Sequence, residues 1–287
     1  MSYRLISVLI YLVLGPVVGG LIAGIDRKVS ARMQGRFGPP LLQPFYDVFK
    51  LFSKESVAVN SIQNYFILCF LIFIIFTGSL FFMGGDVLLV LFSLTLSSIF
   101  LVLGAYSANS PFSSIGAMRE LLQMMAYEPM VLLTGIGFYV VTKSFAITDI
   151  MSYDTPLILY LPGIFIGFVF ILTIKLRKSP FDLSMGHHAH QEVVQGISTE
   201  FSGSTLAMIE IAHWYENIFL LGFVYLFFVW DNPKSWMVGI GACILIYFLE
   251  IVIDNASARV KWQLTFNASW IVAAALGFTN LFILFLI

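Results

Sequence analysis

The stretch Ser179–Gly196, SPFDLSMGHHAHQEVVQG, gathers Asp182, His187, His188, His190 and Glu192 directly behind the bases Lys175, Arg177 and Lys178. Side chains of these types can ligate a metal, exchange protons or meet a neighbouring protein. Imidazole suits Zn²⁺, but three ligands within four residues cannot easily wrap one ion, and the only other histidine is His213. No metal site is expected; proton exchange, since histidine changes charge near neutral pH, and a surface or subunit-contact role both stay open.

A second set of ionisable residues lies in more apolar surroundings. Glu128 precedes Pro129, and Glu210, His213 and Glu216 follow Glu200. Steps of three keep 210, 213 and 216 on one helix face. Pro129 would free a backbone carbonyl and kink or break its helix, opening a polar notch at Glu128. A charge at a bilayer centre costs about 3 kcal/mol. These acids are therefore expected to face a hydrated, protein-lined interior, where carboxyl groups can pass protons from one to the next. A second reading makes them ion-pair partners for Arg119, Lys175 and Lys261, and position alone does not separate a relay from a salt bridge. Glu250 and Asp254, four apart at the end of an apolar run, read as interfacial.

The elements that must hold these residues follow from composition. The chain has 287 residues, 59% hydrophobic and 11% charged, where soluble domains carry about 25% charged residues. Its mean hydropathy is +0.93. Lipid must solvate much of this surface. The net charge of -1 excludes a nucleic-acid partner that needs a basic surface. Cys69 and Cys243 sit in apolar runs without metal or redox spacing, so no iron–sulfur cluster or disulfide is expected in this chain.

The expected fold is all-α and polytopic. Windows of about 20 apolar residues give eight spans, near 4–25, 62–83, 87–106, 121–142, 157–176, 205–230, 236–254 and 267–287. The run Leu5–Ile25 exceeds a signal-peptide core and reads as a retained span. Between the first two spans, Leu42, Phe45, Val48, Phe49 and Phe52 repeat at helical spacing, which predicts an amphipathic helix along the interface. One transmembrane domain over 1–287 results, with main polar loops at 26–61 and 177–204. Twelve of the fifteen Lys and Arg residues fall in loops on one side of this arrangement. The positive-inside rule turns those loops to the cytoplasm, in the cell (cytoplasmic) membrane, with both termini outside.

Three stretches together carry a family resemblance. GIDRKVSARMQGRFGPPLLQPFYDVFKLFSKE (Gly24–Glu55), SANSPFSSIGAMRELLQMMAYEP (Ser107–Pro129) and SPFDL…EVVQGISTEFSG (Ser179–Gly203) resemble, in order, segments of the H subunit of respiratory complex I. In that family the protein anchors a peripheral electron-transfer arm, and buried carboxylates lead toward antiporter-like subunits. The resemblance places Asp182, Glu192 and Glu200 in the loop at a cavity, Arg119 and Glu128 on the channel-side helix, and Glu210 on the next. Arg27 and Arg36 fall in the loop that supports the arm.

One departure bears on the branch. The Ser179–Gly196 stretch is three residues longer than in quinone-reducing members, and His188 and His190 stand where glutamates are expected. With the RELLQ form at Arg119–Gln123, it resembles the membrane subunit of energy-converting, membrane-bound nickel–iron hydrogenases. That resemblance implies an anchor and coupling subunit of a ferredoxin-linked complex that joins proton reduction to H⁺ or Na⁺ translocation. It implies no cofactor or redox chemistry in this chain, so no catalytic residue. Iron–sulfur clusters and the nickel–iron centre would sit in large, small and iron–sulfur partner subunits, beside an antiporter-like subunit. Two other readings stay open: the H subunit of a quinone-reducing complex I, and a passive scaffold for the arm. A free-standing transporter is disfavoured because no inverted repeat is visible.

Overall fold

Long apolar runs fold as helices because, in lipid, backbone N–H and C=O groups must bond within their own segment. The computed structural model describes residues 2–55, 60–181, 183–184 and 195–286 and is all-α among them. Its helices are α1 (Ser2–Met33), α2 (Gln43–Phe52), α3 (Ser61–Phe82), α4 (Val87–Ser107), α5 (Pro111–Thr142) and α6 (Ile147–Met151). They continue with α7 (Pro162–Lys175), α8 (Gly203–Phe228), α9 (Ser235–Ala256) and α10 (Trp262–Leu286), the last containing a π-helical stretch at Ala273–Phe278. Seven of them, α1, α3, α4, α5, α8, α9 and α10, are long and apolar enough to cross a membrane.

The fifth expected span, 157–176, is shorter than the sequence suggests. Residues 157–159 form a separate 3₁₀ turn, and α7 is 14 residues long, about 21 Å against a hydrocarbon core of about 30 Å. Asn280 of α10 fixes where α7 starts. Its Oδ1 accepts the N–H groups of Gly163 and Ile164, both at 3.1 Å, and its Nδ2 donates to the Tyr160 carbonyl. Two other boundaries also move. α1 runs on to Met33, past the expected end near 25, and α5 starts at Pro111 rather than 121, so Arg119 is helical and not in a loop. Pro129 lies inside α5 without breaking it.

Hydrogen bonds between connections sort them onto two ends. At one end Ser7 donates to the Phe82 carbonyl, Val87 N–H to Phe145, and Asp231 N–H to Tyr153. The contacts of Asn280 bring the C-terminal helix to that same end. At the other end Gln34 and Ser30 bond Asn255, Gln63 donates to the Glu200 carbonyl, and Val260 N–H donates to Pro180. Both termini therefore share one end, and the polar connection after α7 lies at the opposite one.

Between the ends, aromatic packing closes the bundle. Phe81 of α3, Phe138 of α5 and Phe219, Phe223 and Phe227 of α8 interlock with centroid separations of 4.9 to 5.4 Å. The amphipathic α2 buries Val48 against Ala207 and Trp214 of α8 and leaves Tyr46, Phe49 and Phe52 exposed. This is the pattern of an interfacial helix.

Candidate functional site

α7 ends inside the protein rather than in water. Arg177 takes a left-handed conformation, φ 55°, and the N–H groups of Arg177 and Lys178 return to the carbonyls of Ile174 and Thr173. This is a helix-ending turn, and it sends Lys175, Arg177 and Lys178 to different partners.

Lys175 and Arg177 enter a first cluster between α4, α5 and α8. Lys175 Nζ lies 2.9 Å from Glu216 Oε1 and 3.3 Å from Ser98 Oγ, and it caps the Tyr127 ring at 4.7 Å. Glu216 Oε2 faces His213 Nδ1 at 3.4 Å, one helical turn back. His213 Nε2 in turn lies 2.6 Å from Arg177 Nη1, whose Nη2 reaches Glu120 Oε1 of α5 at 3.1 Å. Glu120, Lys175 and Glu216 are each at most 8% exposed. Burial would weaken the hold of Arg177 on its proton, but the Glu120 and Glu216 carboxylates more than reverse this. With two carboxylates and two permanent cations the cluster is charge-balanced when His213 is neutral. Balance is what a buried ionic group requires.

Lys178 enters a second cluster between α1 and α9. Its Nζ lies 2.7 Å from Asp26 Oδ2 and 3.7 Å from Asp254 Oδ2, and 5.5 Å from the Tyr247 ring centroid. Tyr247 donates to Asp26 Oδ2, and the Ser179 N–H donates to Asp254 Oδ1. Glu250 of α9 is fully buried in this neighbourhood, with Thr173, Lys178 and Asp254 nearby. The basic triplet thus joins two buried acid clusters through one short connection.

The same connection is bound to several other helices. Gln123 of α5 donates to the Phe181 carbonyl at 2.5 Å, and Arg119 donates to Leu183 at 3.4 Å. Gly116 lets the 3₁₀ turn at 196–198 lie on α5, since a Cβ there would collide with the backbone nitrogen of Ile197. A displacement of this segment would therefore be felt at both clusters.

The sequence-based site is partly reassembled. His213 and Glu216 meet directly. Glu210 stands near His213 and is half-buried, but among the described residues neither its carboxylate nor that of the half-buried Glu128 forms a side-chain hydrogen bond. Glu200 follows the 3₁₀ turn, and its carbonyl, not its carboxylate, accepts from Gln63. Arg27 pairs with Asp47 at 2.6 Å on an exposed surface, and Arg36 bonds Gln34. Asp182, His187, His188, His190 and Glu192 lie outside the described residues. Among the described residues no group of three His, Cys, Asp or Glu side chains is placed to hold a metal.

Seven charged members of the clusters were not singled out from sequence as site residues: Asp26, Glu120, Lys175, Arg177, Lys178, Glu250 and Asp254. Glu120 sits three positions before Gln123 and seven before Tyr127, on the buried face of α5. That spacing could have marked it had the helix been started at Pro111. Lys175 reads as a snorkelling base at a span end, and nothing local distinguishes it from one.

A polytopic α-helical membrane protein, with ionic clusters buried where its short helix ends, is the class that fold and site define. The chain belongs to the NADH dehydrogenase family to which the H subunit of complex I gives its pattern, and the match covers residues 5–285. It is 29% identical to hydrogenase-4 component C of Escherichia coli, over 94% of this chain and 91% of that one. It is 27% identical to formate hydrogenlyase subunit 4 of the same organism, covering 97% and 96%. The H subunit of the Bacillus cytotoxicus NADH-quinone oxidoreductase is 28% identical, covering 99% and 93%. Among solved structures, a chain of the archaeal membrane-bound sulfane sulfur reductase superposes with a TM-score of 0.85 at 24% identity, covering 96% and 99%. That likeness bears on the fold alone.

Proposed function

We propose that the chain is the membrane anchor and coupling subunit of a multisubunit, ion-translocating, ferredoxin-linked nickel–iron hydrogenase. Its relatives among hydrogenase-4 and formate hydrogenlyase components support this branch, as does the histidine-bearing stretch after Pro180. In this reading the redox centres sit in partner subunits, and the chain contributes no cofactor. The single observation that carries the coupling role is the connection after α7, which holds Lys175 and Arg177 in one cluster and Lys178 in the other.

Partner subunits would meet that end through Arg27 in the last turns of α1, the loop carrying Arg36, and the stretch from Asp182 to Glu192. Movement there would shift the bases relative to Glu120, Glu216, Asp26 and Asp254. Because a buried carboxylate is stable only while paired, each shift would move protons. Glu128, Glu200 and Glu210 would extend the path toward an antiporter-like neighbour. The basic end faces the cytoplasm and both termini face out.

The test is H⁺ or Na⁺ movement in sealed vesicles containing the intact complex with Glu216→Gln, Glu128→Gln or Glu210→Gln. Lost ion movement with retained hydrogen evolution is the expected result. Normal pumping in all three variants would favour a passive scaffold. The likeness to the NADH-quinone oxidoreductase relative supports a second reading, a quinone-reducing complex. Inhibition by a quinone-competitive compound, with no hydrogen evolved by the purified complex, would select it.

A further inference from the structure

α9 carries two acids, Glu250 and Asp254, one helical turn apart. With Tyr247 and Ile251 they share the face turned to the second cluster, and Glu250 is fully buried on it. Glu250 lies six positions before the end of the helix at Ala256, about 9 Å of rise, so it sits beneath the polar end rather than at it. The groups around it are committed elsewhere. Lys178 of the connection after α7 is held by Asp26 of α1 at 2.7 Å, with Asp254 at 3.7 Å. Tyr247 donates to Asp26, and the Thr173 hydroxyl of α7 donates to the Val169 carbonyl. Among the described residues neither carboxyl oxygen of Glu250 has a hydrogen-bond partner. Glu120 and Glu216, equally sealed, each reach a cation.

We infer that Glu250 is a proton-binding site: its carboxyl holds a proton at neutral pH and exchanges it with the polar end through Asp254. An ionised carboxylate without donors in a dry site is too costly to persist, and it takes up a proton instead. The surrounding charges act the same way. Asp26 and Asp254 already outnumber the Lys178 ammonium, so an ionised Glu250 would add to a negative excess. A metal ion fits less well than a proton, because among the described residues no three His, Cys, Asp or Glu side chains are placed to hold one. Exchange has a short route. Residues four apart on a helix are neighbours, and Asp254 stands one turn nearer the polar end with its side chain 31% exposed. In the transfer the Glu250 O–H bond breaks and an O–H bond forms on the Asp254 carboxylate, which passes the proton to water; the return reverses these steps. The Ser179 N–H holds Asp254 Oδ1, so the connection after α7 orients the acceptor. The site rests on the placement of Glu250 and not on the proposed coupling role.

The experiment is infrared difference spectroscopy of the intact purified complex at neutral pH, transferred from H₂O to D₂O. The wild type should show a protonated-carboxyl C=O band that shifts in D₂O, and Glu250→Gln, which keeps the shape of the neutral acid and should fold normally, should lose it. Asp254→Asn should keep the band but slow its shift by at least about tenfold, because a positioned proton acceptor is lost. Equal spectra for the wild type and Glu250→Gln would overturn the assignment, as would a band that D₂O leaves unmoved. A band that appears only when choline replaces sodium would also overturn it, by naming a bound cation as the occupant. Wild-type exchange in Asp254→Asn would overturn the route.

Discussion

The two buried clusters are built on opposite principles. Glu120, Glu216, Lys175 and Arg177 balance two acids against two bases, and every member is largely sealed from solvent. Around Lys178, three acids share one ammonium: Asp26 and Asp254 are partly exposed, and Glu250 is fully buried. The first cluster is therefore a closed ionic joint between α5, α7 and α8, where losing one partner strands another charge. The second has acid in excess, so removing an acid relieves it rather than stranding a base. One stretch of four residues, Lys175 to Lys178, serves both.

The largest effect should come from the balanced cluster. Lys175→Met leaves Glu216 without its cation and should destabilise the protein by about 3–5 kcal/mol, read as a lower unfolding temperature in detergent. Adding Glu216→Leu should restore most of that loss, because removing both charges spares the desolvation cost. Next comes the surface that joins the polar connection to α5. Gly116→Ala forces a Cβ against the Ile197 nitrogen and should cost about 1–3 kcal/mol, with faster proteolysis near residues 196–198.

Glu250→Gln sharpens the contrast. It removes one acid from the acid-rich cluster while keeping its shape, so stability should change by less than about 1 kcal/mol. A loss as large as that of Lys175→Met would show that the second cluster is closed as well. Arg27→Ala should be the mildest, within about 1 kcal/mol and with normal assembly, since its pair with Asp47 is solvent-exposed. Failure of the complex to assemble with this variant would instead favour the scaffold reading.

Much of this architecture is legible along the chain, and specific residues show why the rest is not. The run Leu5–Ile25 announces a helix, but not that it continues through Asp26 to Met33, where the side chains turn polar while the backbone stays helical. Residues 157–176 are apolar enough to read as one span. Only Asn280, about 120 positions away, reveals that α7 starts at Pro162. Glu216 and His213 are recognisable from their three-residue step on an apolar helix, whereas Glu120 hides in RELLQ, a segment that reads equally well as a loop. The partners Asp26, Lys178 and Asp254 come from three distant segments, and no local pattern links them.

The sequence by itself determined that lipid is the solvent, how many apolar runs seek it and which end of the bundle carries the bases. Hydrophobic length and charge placement are local quantities, and transfer between water and hydrocarbon acts on each segment separately. Which acid meets which base was decided only by the tertiary structure. A buried ion pair needs atoms within about 4 Å, and only packing brings Lys175 of a short helix against Glu216 of another.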